Sequence, residues 1–146
     1  MRMLDLSPAE LGIKDINMKG SPAAHSSGTL NLEGYSQVTV LFTIVNVGAA
    51  TDGGATLTLQ RYDKDDTAVG EELDLATAIA LTHDDSTLEV AVTLVADGLA
   101  TAATNGTIST DAKHVFPLGR CKLIMNITTS CDAVTSSTGN VRLYAK

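Results

Sequence analysis

Tryptophan is absent from this 146-residue chain, and its aromatic complement is three tyrosines and two phenylalanines. Ala, Val and Leu must therefore fill the interior through many small contacts instead of a few ring anchors. Cysteine occurs only at Cys121 and Cys131, too few for the disulfide framework of a small secreted domain. We expect both to be buried, reduced thiols. Bases are scarce as well: ten Lys and Arg against 17 Asp and Glu leave a formal charge of −7. Lys14, Lys19, Arg61, Lys64, Lys113, Arg120, Lys122 and Arg142 are scattered, so no basic face forms for phosphate neutralisation along a nucleic acid. Long hydrophobic runs are missing too. The stretch 38–47 is broken by Thr and Asn and is far too short to cross a bilayer. Met1-Arg2-Met3 leads into Leu4-Asp5-Leu6 and not into an apolar run, so neither a secretory leader nor a membrane partner is expected.

Chemistry-bearing motifs are equally sparse. There is no nucleophile elbow, no phosphate-cradling Gly loop and no dinucleotide fingerprint. The cysteines stand ten apart and His25, His83 and His114 are dispersed, so no zinc set forms. Asp63-Lys64-Asp65-Asp66 resembles the opening of a calcium loop. Ala68 stands where the sharp turn needs Gly, however, and Asp74 where the twelfth position needs a bidentate Glu. Asp63, Asp65 and Asp66 are read as a solvated hairpin loop that offers a cation a weak site at most. His83-Asp84-Asp85 is read as a turn. Catalytic residues, metal and cofactor are all expected to be absent, and the chain is not expected to be an enzyme.

What is present falls into two parts. Residues 1–28 carry Leu4, Leu6, Leu11, Ile13, Ile16 and Met18 at irregular spacing among charges, glycines and prolines. Ser7-Pro8-Ala9-Glu10 has the form of a capping box, with Gly12 stopping the helix after one turn. Beyond it Gly20, Pro22 and a Ser-rich end predict an extended arm. Exposed apolar residues on such a segment call for a docking partner, so these six are the candidate partner-binding residues.

Residues 29–146 read as a second unit, a β domain. Residues 37–47 alternate with apolar side chains on both faces, predicting a central strand covered on both sides. Asp52-Gly53-Gly54 predicts a turn into a strand over 55–63, with Leu57 and Leu59 on one face. Residues 72–81 fit either a strand or a short helix. Residues 87–95 give the cleanest alternation, with Leu88, Val90, Val92 and Leu94 on one side. Asn105-Gly106 predicts a tight hairpin. Residues 115–128 predict a strand with Pro117 at its start. A final strand over 140–146 is expected after the turn signal Ser137-Thr138-Gly139. Seven or eight such strands predict an all-β fold, an antiparallel β-sandwich or jelly-roll-like barrel with an extended N-terminal arm.

The stretches 30–47, 55–63 (ending Leu-Gln-Arg-Tyr-Asp) and 119–146 together resemble the capsid decoration, or cement, proteins of tailed bacteriophages. That resemblance implies a non-enzymatic virion protein, made in the host cytoplasm and placed on the capsid surface. It further implies the major capsid protein as partner and a homo-oligomer, a trimer ahead of a dimer. The alternatives are a head–tail connector or tail-tube protein, and a ligand- or carbohydrate-binding sandwich for host recognition. The shortage of aromatic platforms counts against the last.

Overall fold

The computed structural model describes residues 3–20, 22–48, 52–80, 86–95, 98–101, 107–108, 119–132 and 134–146. The elements run β1 (Leu4–Leu6), α1 (Pro8–Leu11), β2 (Ile16–Asn17), β3 (Ala24–Ser26), β4 (Leu30–Asn31), β5 (Gln37–Val47), β6 (Gly54–Tyr62), β7 (Ala68–Ala80), β8 (Ser86–Val95), β9 (Gly98–Thr101), β10 (Thr107–Ile108), β11 (Arg120–Thr129) and β12 (Ser136–Ala145). They form two antiparallel sheets. The first is ordered β1-β12-β5-β8-β9, with β2 also on β12. The second is ordered β10-β7-β6-β11-β3, with β4 also on β11. This is the expected all-β sandwich.

Period-2 alternation supplies the core. Val38, Val40, Phe42 and Ile44 of β5, Val90, Val92 and Leu94 of β8, and Val141 and Leu143 of β12 face Leu57, Leu59, Leu123, Met125 and Ile127 of the other sheet. Among the described residues the small side chains interdigitate around two buried rings, Phe42 and Tyr35. Strand β5 is central, as predicted, but it is covered on one face only. Its other face carries Thr39, Leu41 and Thr43 half-buried and Val45 and Val47 exposed, because two layers give each sheet one wet side. The ambiguous stretch after residue 71 is strand. Register shifts between β6 and β7 break the alternation that would have identified it. The last strand begins at Ser136, so Ser137-Thr138-Gly139 lies inside β12 and is not a turn. Asn105-Gly106, His83-Asp84-Asp85, His114 and Pro117 lie outside the described residues.

The capping box forms as read: Glu10 N–H donates to Ser7 Oγ, Ser7 N–H donates back to Glu10 Oε1, and Gly12 ends the turn at φ 80°. The segment around it is not a free arm. Strands β1 and β2 pair along the edge of β12, the chain crosses to the other sheet, and β3 and β4 pair along the edge of β11. Residues 3–20 and 22–28 thus run along one side of the sandwich, where β1 and β2 cap β12 and β3 caps β11.

Both cysteines are free and buried, as expected. Burial pushes the Cys121 thiol up to about 12. Burial also raises Cys131, with Asp52 and Asp132 adding to it and the Ser137 hydroxyl opposing it. Since the thiolate is the reactive species, neither should react with an aromatic disulfide reagent at about pH 8 in the native protein. Both should react once denaturant is added, and rapid native labelling of either would contradict this packing.

Candidate functional site

The six residues of the expected docking arm are turned inward. Leu11, Ile13 and Met18 are fully buried, and Leu4, Leu6 and Ile16 pack half-buried against the same core. Backbone bonds fix them there: Met18 N–H donates to Ser137 O at 2.9 Å, Cys131 N–H to Met18 O at 2.9 Å, and Val141 N–H to Ile13 O at 3.0 Å. This corrects the expectation of a docking arm. Irregular spacing reflects a segment threading between two sheet edges, where each apolar side chain finds its own slot in this domain. Leu11, Ile13 and Met18 present nothing to a partner.

Polar staples complete the attachment. Lys19 Nζ donates to Val134 O at 2.7 Å, and Gly20 N–H donates to Asp132 Oδ1 at 3.1 Å. The Gly20 N–H, then the Ser130 hydroxyl, hold the Asp132 carboxyl below its ordinary value of 3.8. A carboxylate depressed in the fold contributes stability above its unfolded pKa, and that contribution fades as pH falls through the folded value. The melting-temperature gap between the parent and Asp132→Asn should therefore be widest above the ordinary carboxylate range, at about pH 5 and higher, and narrow as the pH falls through the lowered Asp132 value. A gap that stayed constant with pH would contradict the staple.

With the N-terminal segment packed against its own domain, the sandwich still presents the outer faces of its two sheets. The outer face of the second sheet is charged. Arg120 pairs with Asp66, Lys122 lies 5.0 Å from the Tyr62 ring centroid, and Thr58 Oγ1 donates to Glu72. The Asp63 carboxylate is occupied by its own hairpin, accepting from the Asp65 and Thr67 amides at 2.8 and 3.0 Å. No group of three metal-ligating side chains converges among the described residues.

The outer face of the first sheet differs at its two ends. Around the last residues of β5, Val45 (39% exposed) and Val47 (49%) lie beside Thr43, Thr87, Thr138 and Ser136, a patch of β-branched and hydroxyl side chains. At the opposite end Asp5, Tyr144, Thr39 and Thr93 stand in register across β1, β12, β5 and β8. Alternation along β12 sends Val141, Leu143 and Ala145 inward and Arg142 and Tyr144 outward. Arg142 Nε donates to Asp5 Oδ1 at 3.1 Å, and its guanidinium carbon lies 5.6 Å from the Tyr144 ring centroid. Hydrogen bonding to Asp5 raises the Arg142 pKa further, so the guanidinium is a permanent cation. Beside this stack runs an open groove of about 430 Å³ lined by Met3, Asp5, Gln37, Thr39, Tyr144 and Lys146 among others. The site offers a ring, polar groups and an apolar wall, a lining that suits binding.

Sequence reasoning passes over Tyr144, Gln37 and Thr39. Alternation alone marks Tyr144 as outward-facing, but only the pairing of β1 with β12 brings Asp5 to its side.

No family model and no characterised sequence matches the chain. Its fold is similar to those of solved structures. Two are of infectious bursal disease virus, the Gx strain and the VP2 subviral particle, each 12% identical with a TM-score of 0.50. Each match covers 99% of this chain and 32% of the viral chain, so this chain spans about a third of their length. The Emp46p carbohydrate recognition domain is 10% identical with a TM-score of 0.50, covering 98% of this chain and 86% of that one. At such identities what is shared is the β-sandwich fold. No described helix is long and apolar enough to cross a membrane.

Proposed function

We propose that the chain is a non-catalytic structural protein of a virus particle, a decoration protein that binds the outside of a phage capsid and stabilises contacts between major capsid protein subunits. The observation that carries this reading is the Val45–Val47 patch on a sandwich whose β11 and β12 edges are capped by its own N-terminal segment. Capping directs association away from those edges and onto a face. Val45 and Val47 are 39% and 49% exposed, so burying what remains gains each of them less than half of the roughly 1.5–3 kcal/mol of a fully transferred side chain, and the surrounding threonines cost little to desolvate when paired. A fold shared with the VP2 subviral particle fits a place in a virus shell, and a net charge of −7 disfavours nucleic acid as a ligand. In this reading the protein acts as a homo-oligomer, a trimer ahead of a dimer, on the virion surface.

The test is saturable binding of the purified chain to capsids that lack it, with sedimentation giving its own oligomeric state. The double variant Val45→Lys, Val47→Glu should weaken capsid binding at least about tenfold, equivalent to roughly 1.4 kcal/mol, while the domain stays folded. A folded parent chain that fails to bind any capsid preparation would sink the proposal.

A further inference from the structure

We propose that the groove beside Tyr144 is a saccharide-binding subsite that takes one pyranose ring of a neutral glycan. Among the described residues Tyr144 is the one exposed aromatic: it is 40% exposed, whereas Tyr35 and Phe42 are buried and Tyr62 is half-buried. An exposed ring usually loses rotamer freedom on binding. This one has a fixed neighbour, because the Arg142 guanidinium carbon lies over one side of it at 5.6 Å from the centroid and Asp5 anchors Arg142 at 3.1 Å. A ring flanked in this way next to a cavity is a platform.

The rest of the groove selects the ligand class. Gln37 presents an amide, Thr39 a hydroxyl already linked to Thr93 Oγ1 at 3.0 Å, and Lys146 an ammonium, while Met3, 75% exposed, supplies an apolar flank. A pyranose has an apolar C–H face for the ring and rim hydroxyls that both donate and accept, so it satisfies both kinds of lining. A purely aliphatic ligand would strip water from Asp5, Gln37 and Thr39 without replacing it. A phosphate-bearing ligand would meet the Asp5 carboxylate on a chain of net charge −7 while Arg142 is already engaged. The cavity of about 430 Å³ lies within the usual ~300–1,000 Å³ range of small-molecule sites. It is open, so binding is weak.

The subsite is independent of the capsid proposal. Thr39 and Val45 are six residues apart on β5, roughly 20 Å at about 3.3 Å per residue, so both ends of the face can be occupied together.

The experiment is an NMR titration of the intact chain, with backbone resonances assigned, against glucose, galactose, mannose and N-acetylglucosamine up to the solubility of each. At least one sugar should give saturable shifts confined to residues 3–5, 37–39 and 142–146. Tyr144→Ala should reduce that affinity at least about tenfold, whereas Tyr144→Phe should hold it within about threefold. If Tyr144→Ala does not fold, Gln37→Ala and Thr39→Val serve instead, and each should weaken the same shifts. The proposal is overturned if no sugar moves these residues, if the shifts map elsewhere, or if the folded variants bind like the parent. Shifts caused only by an aromatic-bearing peptide would overturn it in favour of a protein ligand.

Discussion

A chain shortened to begin at residue 29 should fail to fold, giving aggregated or unstructured protein by circular dichroism and gel filtration. The removed segment supplies Leu11, Ile13 and Met18, all fully buried, and the half-buried Leu4, Leu6 and Ile16. Cutting a buried Leu, Ile or Met to Ala costs about 2–5 kcal/mol. Three such losses already match the ~5–15 kcal/mol by which a whole domain is stable. Backbone pairing adds to the damage. Without β1 and β2 the edge of β12 is bare, and without β3 the β11 edge loses its partners at Ile124, Met125 and Asn126. Ser27 goes as well, and with it the buried hydroxyl that accepts from Leu123 N–H at 2.9 Å. A folded, monodisperse 29–146 fragment melting within a few degrees of the parent would show that the segment is a detachable clasp after all. Truncation is consequently a poor probe of capsid binding, because the domain is lost with the arm. The Val45 and Val47 substitutions separate binding from folding.

How much of the fold is readable depends on how far apart the interacting residues lie. The capping box spans Ser7 to Glu10, so every group in it is local and its form can be read directly. Strands β5 and β8 announce themselves by alternation, since one buried face imposes period 2 on each strand separately. Strand β7 is obscured because three register shifts against β6 interrupt the period. The N-terminal segment misleads for a different reason. Met18 bonds to Ser137 and Cys131, and Asp15 N–H to Asn140 Oδ1, contacts made across more than a hundred residues. No local pattern encodes a segment whose slots are built by the far end of the chain. The candidate site shares that problem: Asp5 and Arg142 meet only because β1 returns to β12. Alternation can mark Tyr144 as outward-facing, but not as a ring flanked by an ion pair.

Gly139 is where this long-range packing leaves its clearest mark on the sequence, and replacing it should loosen the arm. It lies inside β12, opposite Ile44 of β5 and Ile16 of β2. A Cβ there would come within 2.9 Å of Met18 Sδ and 3.0 Å of Phe42 Cε2. Both neighbours are fully buried, so neither has open space to retreat into. The glycine is needed for closeness of approach, which is why reading it as a turn residue fails. Two effects oppose each other in Gly139→Ala. Restricting the unfolded chain stabilises by about 0.4–1 kcal/mol, while overpacking costs about 1–3 kcal/mol. The clash should win, modestly for Ala and more severely for Val, whose branches add two further carbons at the same spot. A double-mutant cycle isolates the cause. Met18→Ala alone should cost about 2–5 kcal/mol, but in its presence Gly139→Ala should cost clearly less than in the parent, because the thioether is gone and only the Phe42 contact at 3.0 Å still crowds the Cβ. Chemical denaturation of the four proteins measures the coupling, expected at about 0.5–3 kcal/mol. Strict additivity would mean that Met18 does not occupy the notch left by Gly139, and the docking of the arm against β12 would need to be redrawn.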